Sequence, residues 1–268
     1  MTTTSQPTTG TRNQFDTCLE TELVHTTYFT GGYSTAMAVV LGNHICVLHG
    51  PSGTGKTTCA LHVANALERP GVVVTMSRTT SPLDLLRRFY FALTGVMHNG
   101  TRIAMENDLK VRLVEWGGVA VFDEMQNVGV GAMQDLVWLY EETRHAFAVV
   151  IVGSESLAAV RAHPQLLTRV MGHERFEPLA GKTLVDAVRA MDATFAVTPA
   201  SVLGAHDQRC CHGLLREWVQ TLRWVRRFRF EGPLTSEQLR MIAEKIPDQG
   251  PRPEPGEILR PGPRRRSS

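Results

Sequence analysis

The sequence has few cysteines, and they follow no disulfide or zinc-finger spacing. They are Cys18, Cys46, Cys59, Cys210 and Cys211. An odd number without Cys-x-x-Cys spacing argues against a disulfide framework or a zinc finger and favours the reducing cytoplasm. His212 follows the vicinal pair, which could suggest a metal, but adjacent cysteines alone make a poor chelate. We therefore predict no metal site at this position.

Long apolar stretches and a strong charge of one sign are also missing. No run approaches the roughly 20 apolar residues of a membrane span, and the Thr-rich residues 1–10 lack the apolar segment of a signal peptide. The net charge is only +2, so any contact with nucleic acid must come from local basic clusters. A length of 268 residues with 43% hydrophobic content allows one α/β core plus a smaller appended domain.

A glycine-rich segment has the strand–loop–helix context of a phosphate-binding P-loop. It lies between an apolar run at 44–49 and a helical pattern at 58–67. Glycines let backbone N–H groups turn toward phosphate oxygens, and the helix start adds partial positive charge. Lys56 would reach the β- and γ-phosphates, and the Thr57 hydroxyl would ligate Mg²⁺. The predicted nucleotide-binding residues are Gly50, Pro51, Ser52, Gly53, Thr54, Gly55, Lys56, Thr57 and Thr58.

Two carboxylates follow a second buried strand pattern. The apolar run 119–122 leads directly into Asp123 and Glu124, which is the Walker B arrangement. Asp123 would hold Mg²⁺ through water, and Glu124 would polarise the water that attacks the γ-phosphate. An isolated Asp-Glu pair is commonly a solvated turn, but its place after a P-loop and a buried strand favours the catalytic role. Gln126 offers an amide near the same site, although it could equally be exposed.

Strand and helix patterns alternate up to about residue 180, and only helical patterns follow. Further strands are expected over 72–76, over 147–152 and, as a fifth short strand, over Arg175–Leu179. The pattern predicts an α/β fold with a central five-stranded parallel sheet and a C-terminal helical lid domain. We expect a core at 14–180, a lid at 181–247, and disordered ends at 1–13 and 248–268.

Together these motifs resemble those of the AAA+ P-loop ATPases, and more narrowly the transposition-helper group of Mu B, TniB and TnsC. The ExeA-type secretion ATPases are relatives of that group. The resemblance spans roughly 28–225 and departs from the group at two places. Met125 stands where a small residue is usual, and Gly-Leu-Leu precedes the lid arginine where Gly-Asn is common. The segments that carry it are 50–57, 122–126, 151–157, 167–169 and 213–216.

The resemblance implies roles for three further residues. Ser154, at the end of the fourth strand, would sense the γ-phosphate, although it could instead cap the helix over 157–161. Arg169 would act in trans as an arginine finger on a neighbouring subunit's nucleotide. Arg216 would touch the γ-phosphate from the lid. For a single arginine, a solvated surface charge is the ordinary alternative.

Two groups of residues carry weaker indications of contact with ligands. Tyr28, Gly31 and Tyr33 precede the first strand and are candidates for contacting the base, although ordinary packing is the usual role of such residues. Basic and aromatic residues also cluster near the end of the main lid helix. Such clusters suit DNA phosphates, although a solvated helix face has the same composition. The cluster comprises Arg223, Trp224, Arg226, Arg227, Phe228, Arg229 and Phe230.

The resemblance implies a cytoplasmic ATP hydrolase with ATP and Mg²⁺ as cofactors. Such a protein would assemble as a homo-oligomeric ring or filament on double-stranded DNA, and would recruit and stimulate a transposase, without involving a membrane. One alternative is a different AAA+ DNA machine, such as a replication initiator or helicase loader. Another is a nucleotide-switched signalling or secretion-associated ATPase that binds no DNA.

Overall fold

A computed structural model describes residues 23–246 of the chain. The predictions for 1–13 and 248–268, and Cys18, lie outside this range. Within it, no helix combines the length and the apolar character that crossing a membrane requires.

The centre of the fold is a sheet of five parallel strands. Their order is β2-β3-β4-β1-β5, so the strand before the P-loop lies between β4 and β5. Parallel pairing brings the carboxyl ends of β1, β3 and β4 to one edge of the sheet. The expected α/β fold with a five-stranded parallel sheet is therefore confirmed. The strands are β1 (Ile45–His49), β2 (Gly71–Thr75), β3 (Val119–Asp123), β4 (Ala148–Gly153) and β5 (Val170–Arg175).

Helices cover both faces of the sheet, which explains the continuous apolar runs of its central strands. On one face, Cys46, Leu48 and the alternate residues of β4 pack against helices α1 (Thr27–Leu41) and α2 (Lys56–Ala66). On the other, Ile45, Val47 and their counterparts pack against three helices. These are α3 (Pro82–Thr94), α4 (Arg102–Trp116) and α5 (Val130–Glu142).

The first helix begins at Thr27 and includes both glycines that precede the apolar run before β1. The Thr26 side chain caps α1 by accepting a hydrogen bond from the Phe29 N–H at 3.0 Å. Gly32 lies inside the helix because it faces an aromatic ring: a Cβ there would be 2.6 Å from Cζ of Phe176. The glycines at the start of this segment therefore serve packing and do not end the helix.

Short elements connect the remaining strands. The 3₁₀ turn Met125–Asn127 follows β3, and α6 (Ser156–Arg161) and α7 (Pro164–Leu167) lead from β4 to β5. The prediction of the fifth strand over Arg175–Leu179 is wrong, since β5 ends at Arg175. As an edge strand it alternates between half-buried and exposed residues, whereas the buried Phe176 and Leu179 pack just beyond it.

From Gly181 onward the described chain contains only helices and turns. Trp218, Phe195 and Leu222 lie in a hydrophobic cluster of this part of the chain, distinct from the two clusters that cover the sheet. We refer to residues 181–246 as the lid. Its helices are α8 (Gly181–Met191), α9 (Ala193–Ala196), α10 (Ala200–His206), α11 (Leu215–Phe228) and α12 (Ser236–Ala243), and a π-helical turn, Asp207–Cys211, joins α10 to α11.

Candidate functional site

A cleft of about 530 Å³ lies between the carboxyl edge of the sheet and the lid. The sheet side contributes the glycine-rich loop, the two carboxylates after β3, and Gly153 at the end of β4. The segment before α1, the start of α1 and two lid helices, α8 and α11, close the other sides. The lining residues from those elements include Leu23, Val24, Thr26, Phe29, Met191, Leu215, Arg216, Val219, Gln220 and Arg223.

The glycine-rich loop takes a path that requires glycine. Gly50 has φ +125°, and a Cβ at this position would collide with the carbonyl oxygen of Phe176. Gly55 has φ +97° at the N-cap position of α2, where no side chain accepts from the first N–H groups of the helix. Unsatisfied N–H groups at a helix start favour an anion. The loop therefore presents an anion-binding helix terminus to the cleft.

Lys56 lies folded into the loop. Its Nζ donates to the Pro51 carbonyl oxygen at 2.7 Å, and the Thr54 hydroxyl donates to the same oxygen at 2.9 Å. Only 6% of the Lys56 surface is exposed. A buried ammonium beside the loop is placed to exchange this carbonyl for the oxygens of an anionic ligand.

Thr57 and Asp123 meet across the sheet edge. The Thr57 hydroxyl donates to Oδ2 of Asp123 at 3.1 Å, while Oδ1 accepts from the Glu124 N–H at 2.9 Å. Burial raises the pKa of Asp123 above its ordinary value, although both hydrogen bonds lower it. Because burial disfavours the carboxylate, a cation at this pair would favour its ionised form. The pair has the oxygen ligands that Mg²⁺ prefers.

Glu124 is held in an unusual conformation by a neighbouring amide. Its φ is +59°, in the left-handed region where a non-glycine residue is strained. Nε2 of Gln126 donates to Oε2 of Glu124 at 2.6 Å. Oε1 of Gln126 is buried and has no hydrogen-bond partner within the part of the chain that the structure describes. It lies against Gly153, where an added Cβ would collide with it.

The lid contacts the loop directly through the segment before α11. The Arg216 N–H donates to the Gly53 carbonyl oxygen at 3.1 Å, and its Nη1 donates to the Ser52 hydroxyl at 2.9 Å. A Cβ on Gly53 would lie 3.2 Å from Cβ of Arg216 and 3.6 Å from that of Leu214. The Gly-Leu-Leu sequence that departs from the resembled group thus packs against the loop.

The structure places Ser154 and Arg169, like Gly50 and Pro51 of the loop, outside the lining of the cleft. The Ser154 carbonyl oxygen accepts from the Gly50 N–H at 3.3 Å, and its alternative role as a helix cap is wrong, since Glu155 occupies the N-cap position of α6. Arg169 forms an ion pair with Glu141 and donates to the Gln165 carbonyl oxygen.

The tyrosines near the first strand are used for packing. The Tyr28 hydroxyl donates to Oε2 of Glu177 at 3.3 Å, and Tyr33 stacks on Phe29 with ring centroids 6.1 Å apart. The cleft is instead lined by Thr26 and Phe29 of the same segment. The contacts of both tyrosines agree with ordinary packing, the alternative role considered for them.

The basic cluster of the lid is partly engaged within the protein. Arg223 lines the cleft, and Arg226 forms an ion pair with Asp192 at 3.2 Å. The guanidinium of Arg227 lies 5.8 Å from the centroid of Trp224. All four arginines are nevertheless exposed, so these contacts leave the cluster on the surface of the lid.

His49, the last residue of β1, is a half-buried polar residue close to the loop. Burial, followed by the positive charges of His173, Arg175, Arg161 and Lys56, lowers its pKa to about 4. Its Nε2 has no hydrogen-bond partner among residues 23–246. The imidazole is therefore neutral at neutral pH.

Comparisons with known proteins agree with this geometry. Residues 41–160 match the family model of the AAA domain. The chain is similar to the structure of Cdc6p from Pyrobaculum aerophilum, with 14% identity and a TM-score of 0.68 over 86% of this chain and 71% of that one. It is also similar to RuvB of Thermotoga maritima, a Holliday junction branch migration motor, with 13% identity and a TM-score of 0.55 over 83% and 70%. No curated protein matches the sequence. The P-loop AAA+ fold is thereby confirmed.

Proposed function

We propose that this protein is an ATP hydrolase that binds ATP and Mg²⁺ in the cleft. One observation carries the proposal: Thr57 lies 3.1 Å from Asp123, with Lys56, Glu124 and Arg216 around the same space. The P-loop contributes the phosphate-binding cation Lys56, and its Thr57 forms the metal-binding pair with Asp123 at the end of β3. Glu124, directly after β3, is the base, and the lid contributes Arg216.

The residues present fit both groups. The start of α2 and the Lys56 ammonium bind phosphate oxygens, and Thr57 with Asp123 holds the cation. Bound Mg²⁺ would supply neutralisation of charge on the phosphates. Glu124 accepts a proton from water once its hydrogen bond with Gln126 is released. The lid covers the cleft and holds Arg216 against the loop, where it would contact the γ-phosphate.

Assembly into a homo-oligomer explains the position of Arg169. Since it does not line the cleft of its own chain, it is available to a neighbouring subunit once its ion pair with Glu141 opens. An arginine supplied in trans stabilises charge in phosphoryl transfer. Ser154 lies beside the loop and would sense the γ-phosphate. We propose that the protein acts in the cytoplasm.

We further propose that the ATP-bound oligomer assembles on double-stranded DNA and recruits a transposase. The motifs that resemble transposition helpers support this, as does the likeness in fold to a Holliday junction motor. The exposed Arg227 and Arg229 near the end of α11 would contact DNA phosphates. A replication initiator or helicase loader, or a signalling or secretion-associated ATPase without DNA, would use the same nucleotide site.

Substitution of Glu124 tests the hydrolytic role. Glu124→Gln is expected to lower the turnover of ATP by about 10²–10⁴-fold while leaving nucleotide binding and ATP-dependent assembly intact. Glu155→Gln, which removes an exposed carboxylate at the end of β4, is the matched control and should hydrolyse ATP normally. Unchanged turnover in Glu124→Gln would contradict the role assigned to this residue.

Salt-dependent binding of ATP-loaded protein to duplex DNA tests the DNA proposal. Arg227→Ala and Arg229→Ala should each weaken DNA binding and reduce its salt slope by about one unit. Arg112→Ala, which removes an exposed arginine of α4 outside the lid, should change neither. Absence of salt-sensitive DNA binding would favour the signalling or secretion-associated ATPase. If DNA binds, stimulation of strand transfer by a co-purified transposase supports transposition, and its absence favours a replication machine.

A further inference from the structure

A second cluster of chemically active side chains lies in the lid, outside the cleft. The π-helical turn Asp207–Cys211 adds a residue to the helical repeat and places His206, Cys210 and Cys211 together. Their ligand atoms all lie within 4.8 Å of one another. π-helical turns frequently mark functional sites. None of these residues takes part in the proposed ATP hydrolysis.

The spacing of these atoms fits the edges of a tetrahedral zinc site. The two sulfurs lie 3.8 Å apart, and Sγ of Cys210 lies 3.4 Å from Nε2 of His206. Bond lengths of about 2.3 Å for Zn–S and about 2.0–2.1 Å for Zn–N give tetrahedral edges of about 3.8 Å between sulfurs and about 3.5 Å between sulfur and nitrogen. We propose that His206, Cys210 and Cys211 bind a Zn²⁺ ion.

The surroundings of the cluster suit a bound cation. His206 is 3% exposed and Cys211 is fully buried, while the half-buried Cys210 leaves a path for entry. The Thr221 hydroxyl, from α11, lies 3.0 Å from Nε2 of His206 and 3.7 Å from the Cys211 sulfur. It is therefore placed to hold a water as the fourth ligand.

Hydrogen bonds to Asp207 hold the turn in this conformation. Oδ1 of Asp207 accepts from the Gly213 N–H at 2.8 Å and from Nε1 of Trp218 at 3.0 Å. The Trp218 ring in turn packs edge-on against His206. Partners of this kind fix the orientation of metal ligands. His212, the histidine adjacent to the cysteines, is not a member of the cluster.

The vicinal cysteines have poor geometry for a disulfide with each other. Neighbouring Cα atoms across a trans peptide are about 3.8 Å apart, below the usual 4.4–6.8 Å of a disulfide. The described chain contains no cis peptide bond, and both residues are free thiols. Two sulfurs with a nearby imidazole are instead a set of ligands for a thiophilic divalent cation.

The position of the site gives the metal a structural consequence. The Cys211 carbonyl oxygen accepts from the Leu214 N–H at 2.9 Å, and Leu214 and Arg216 rest on Gly53 of the P-loop. A cation bound to the end of α10 and the π turn would thus order the segment through which the lid reaches the cleft. The proposal stands without the proposed ATPase activity, since it rests on ligand geometry alone.

Metal analysis of the full-length protein tests the site. After loading with Zn²⁺ and dialysis, we expect about one zinc per chain, released by a mercurial thiol reagent. Co²⁺ in its place should give the thiolate-to-cobalt absorption and intense visible bands of a tetrahedral site. Zn²⁺ at about 100-fold above Kd should raise Tm by about 5–10 °C.

Variants identify the ligands. Cys211→Ser, Cys210→Ser and His206→Gln should each lose the stoichiometric zinc and the cobalt absorption, while His212→Asn should keep both. Folded wild-type protein that binds no zinc and shows no cobalt absorption would overturn the proposal, whatever the variants do. A mass lower by two hydrogens with no metal, indicating a disulfide, would overturn it as well, as would loss of zinc in His212→Asn together with its retention in His206→Gln.

Discussion

Two helices of this protein begin in opposite ways. In the lid, α12 starts with a capping box, in which the Thr235 side chain accepts from the Gln238 N–H at 3.2 Å and Gln238 accepts from the Thr235 N–H at 2.8 Å. In the core, α2 starts at Gly55 with no side-chain cap. Helix α12 satisfies its first N–H groups through its own capping box and so stabilises the fold, whereas α2 leaves its first N–H groups open for a ligand. Stability and binding are thus assigned to different helix starts.

The largest expected effect is on ATP turnover, which Lys56→Ala in the core should lower and Lys182→Ala in the lid should not. Lys56→Ala removes the only cation in the P-loop itself and should lower ATP turnover by at least about 10²–10³-fold, with loss of ATP-dependent assembly. Lys182→Ala in the lid removes an exposed lysine that pairs with Asp186 at 2.8 Å and should leave both unchanged. Assembly by Lys56→Ala at saturating ATP would contradict the proposed site.

Two glycine substitutions compare how strictly the backbone requires glycine in the P-loop and in the lid. Gly50→Ala places a Cβ against the Phe176 carbonyl oxygen at φ +125° and should lower the free energy of unfolding by more than about 3 kcal/mol. Gly181→Ala, at φ +55° with nothing within 4 Å of the added carbon, should cost only about 1–2 kcal/mol. Urea unfolding measures both. Equal costs would show that the P-loop path is not sterically determined.

Removal of the Thr235 cap tests the contribution of the α12 start, which we assign to stability alone. Thr235→Ala should lower stability by about 1 kcal/mol, because one N–H group loses its acceptor, and Ser236→Ala beside it should cost less. Added ATP should raise Tm equally in the wild type and in Thr235→Ala. An altered response to ATP would mean that the cap contributes to binding as well as to the fold.

A dependence of stability on pH is also expected to originate at His49. Its pKa is lowered from 6.5 to about 4 in the folded chain, so the unfolded state binds more protons between these values. Stability should therefore fall as pH drops from 6.5 toward 4. His49→Gln should flatten this part of the curve of unfolding free energy against pH, and the exposed His25→Gln should not. A curve that is unchanged in His49→Gln would assign the slope to other groups.

The P-loop and the Asp123–Glu124 pair could be predicted because their chemistry requires particular residues at the ends of buried strands. Parallel strands then bring those ends to one edge of the sheet. The partner of Glu124 could not be predicted with the same certainty. Gln126 reaches it only because Glu124 adopts a left-handed conformation before a 3₁₀ turn, which no spacing in the sequence indicates.

Other errors have similarly local causes. Strand β5 pairs only with β1 at the edge of the sheet, so it carries a weak alternation, and the apolar residues after it were taken for the strand. At the vicinal cysteines only the adjacent His212 was considered, and no metal site was predicted. His206 is the ordinary helical neighbour of Cys210, four residues later, and the π-helical turn brings Cys211, five residues after His206, to the same place. Patterns based on ordinary helix and strand periods miss such insertions.

The absence of a side chain at Gly153 lets two non-neighbouring strands cooperate. Strand β4 separates β1 from β3, and Gln126 occupies the space above its end. A larger residue there would collide with this amide and, through it, displace Glu124. Substitution at position 153 would therefore show how far the contact between Gln126 and Glu124 sets the rate of the proposed hydrolysis.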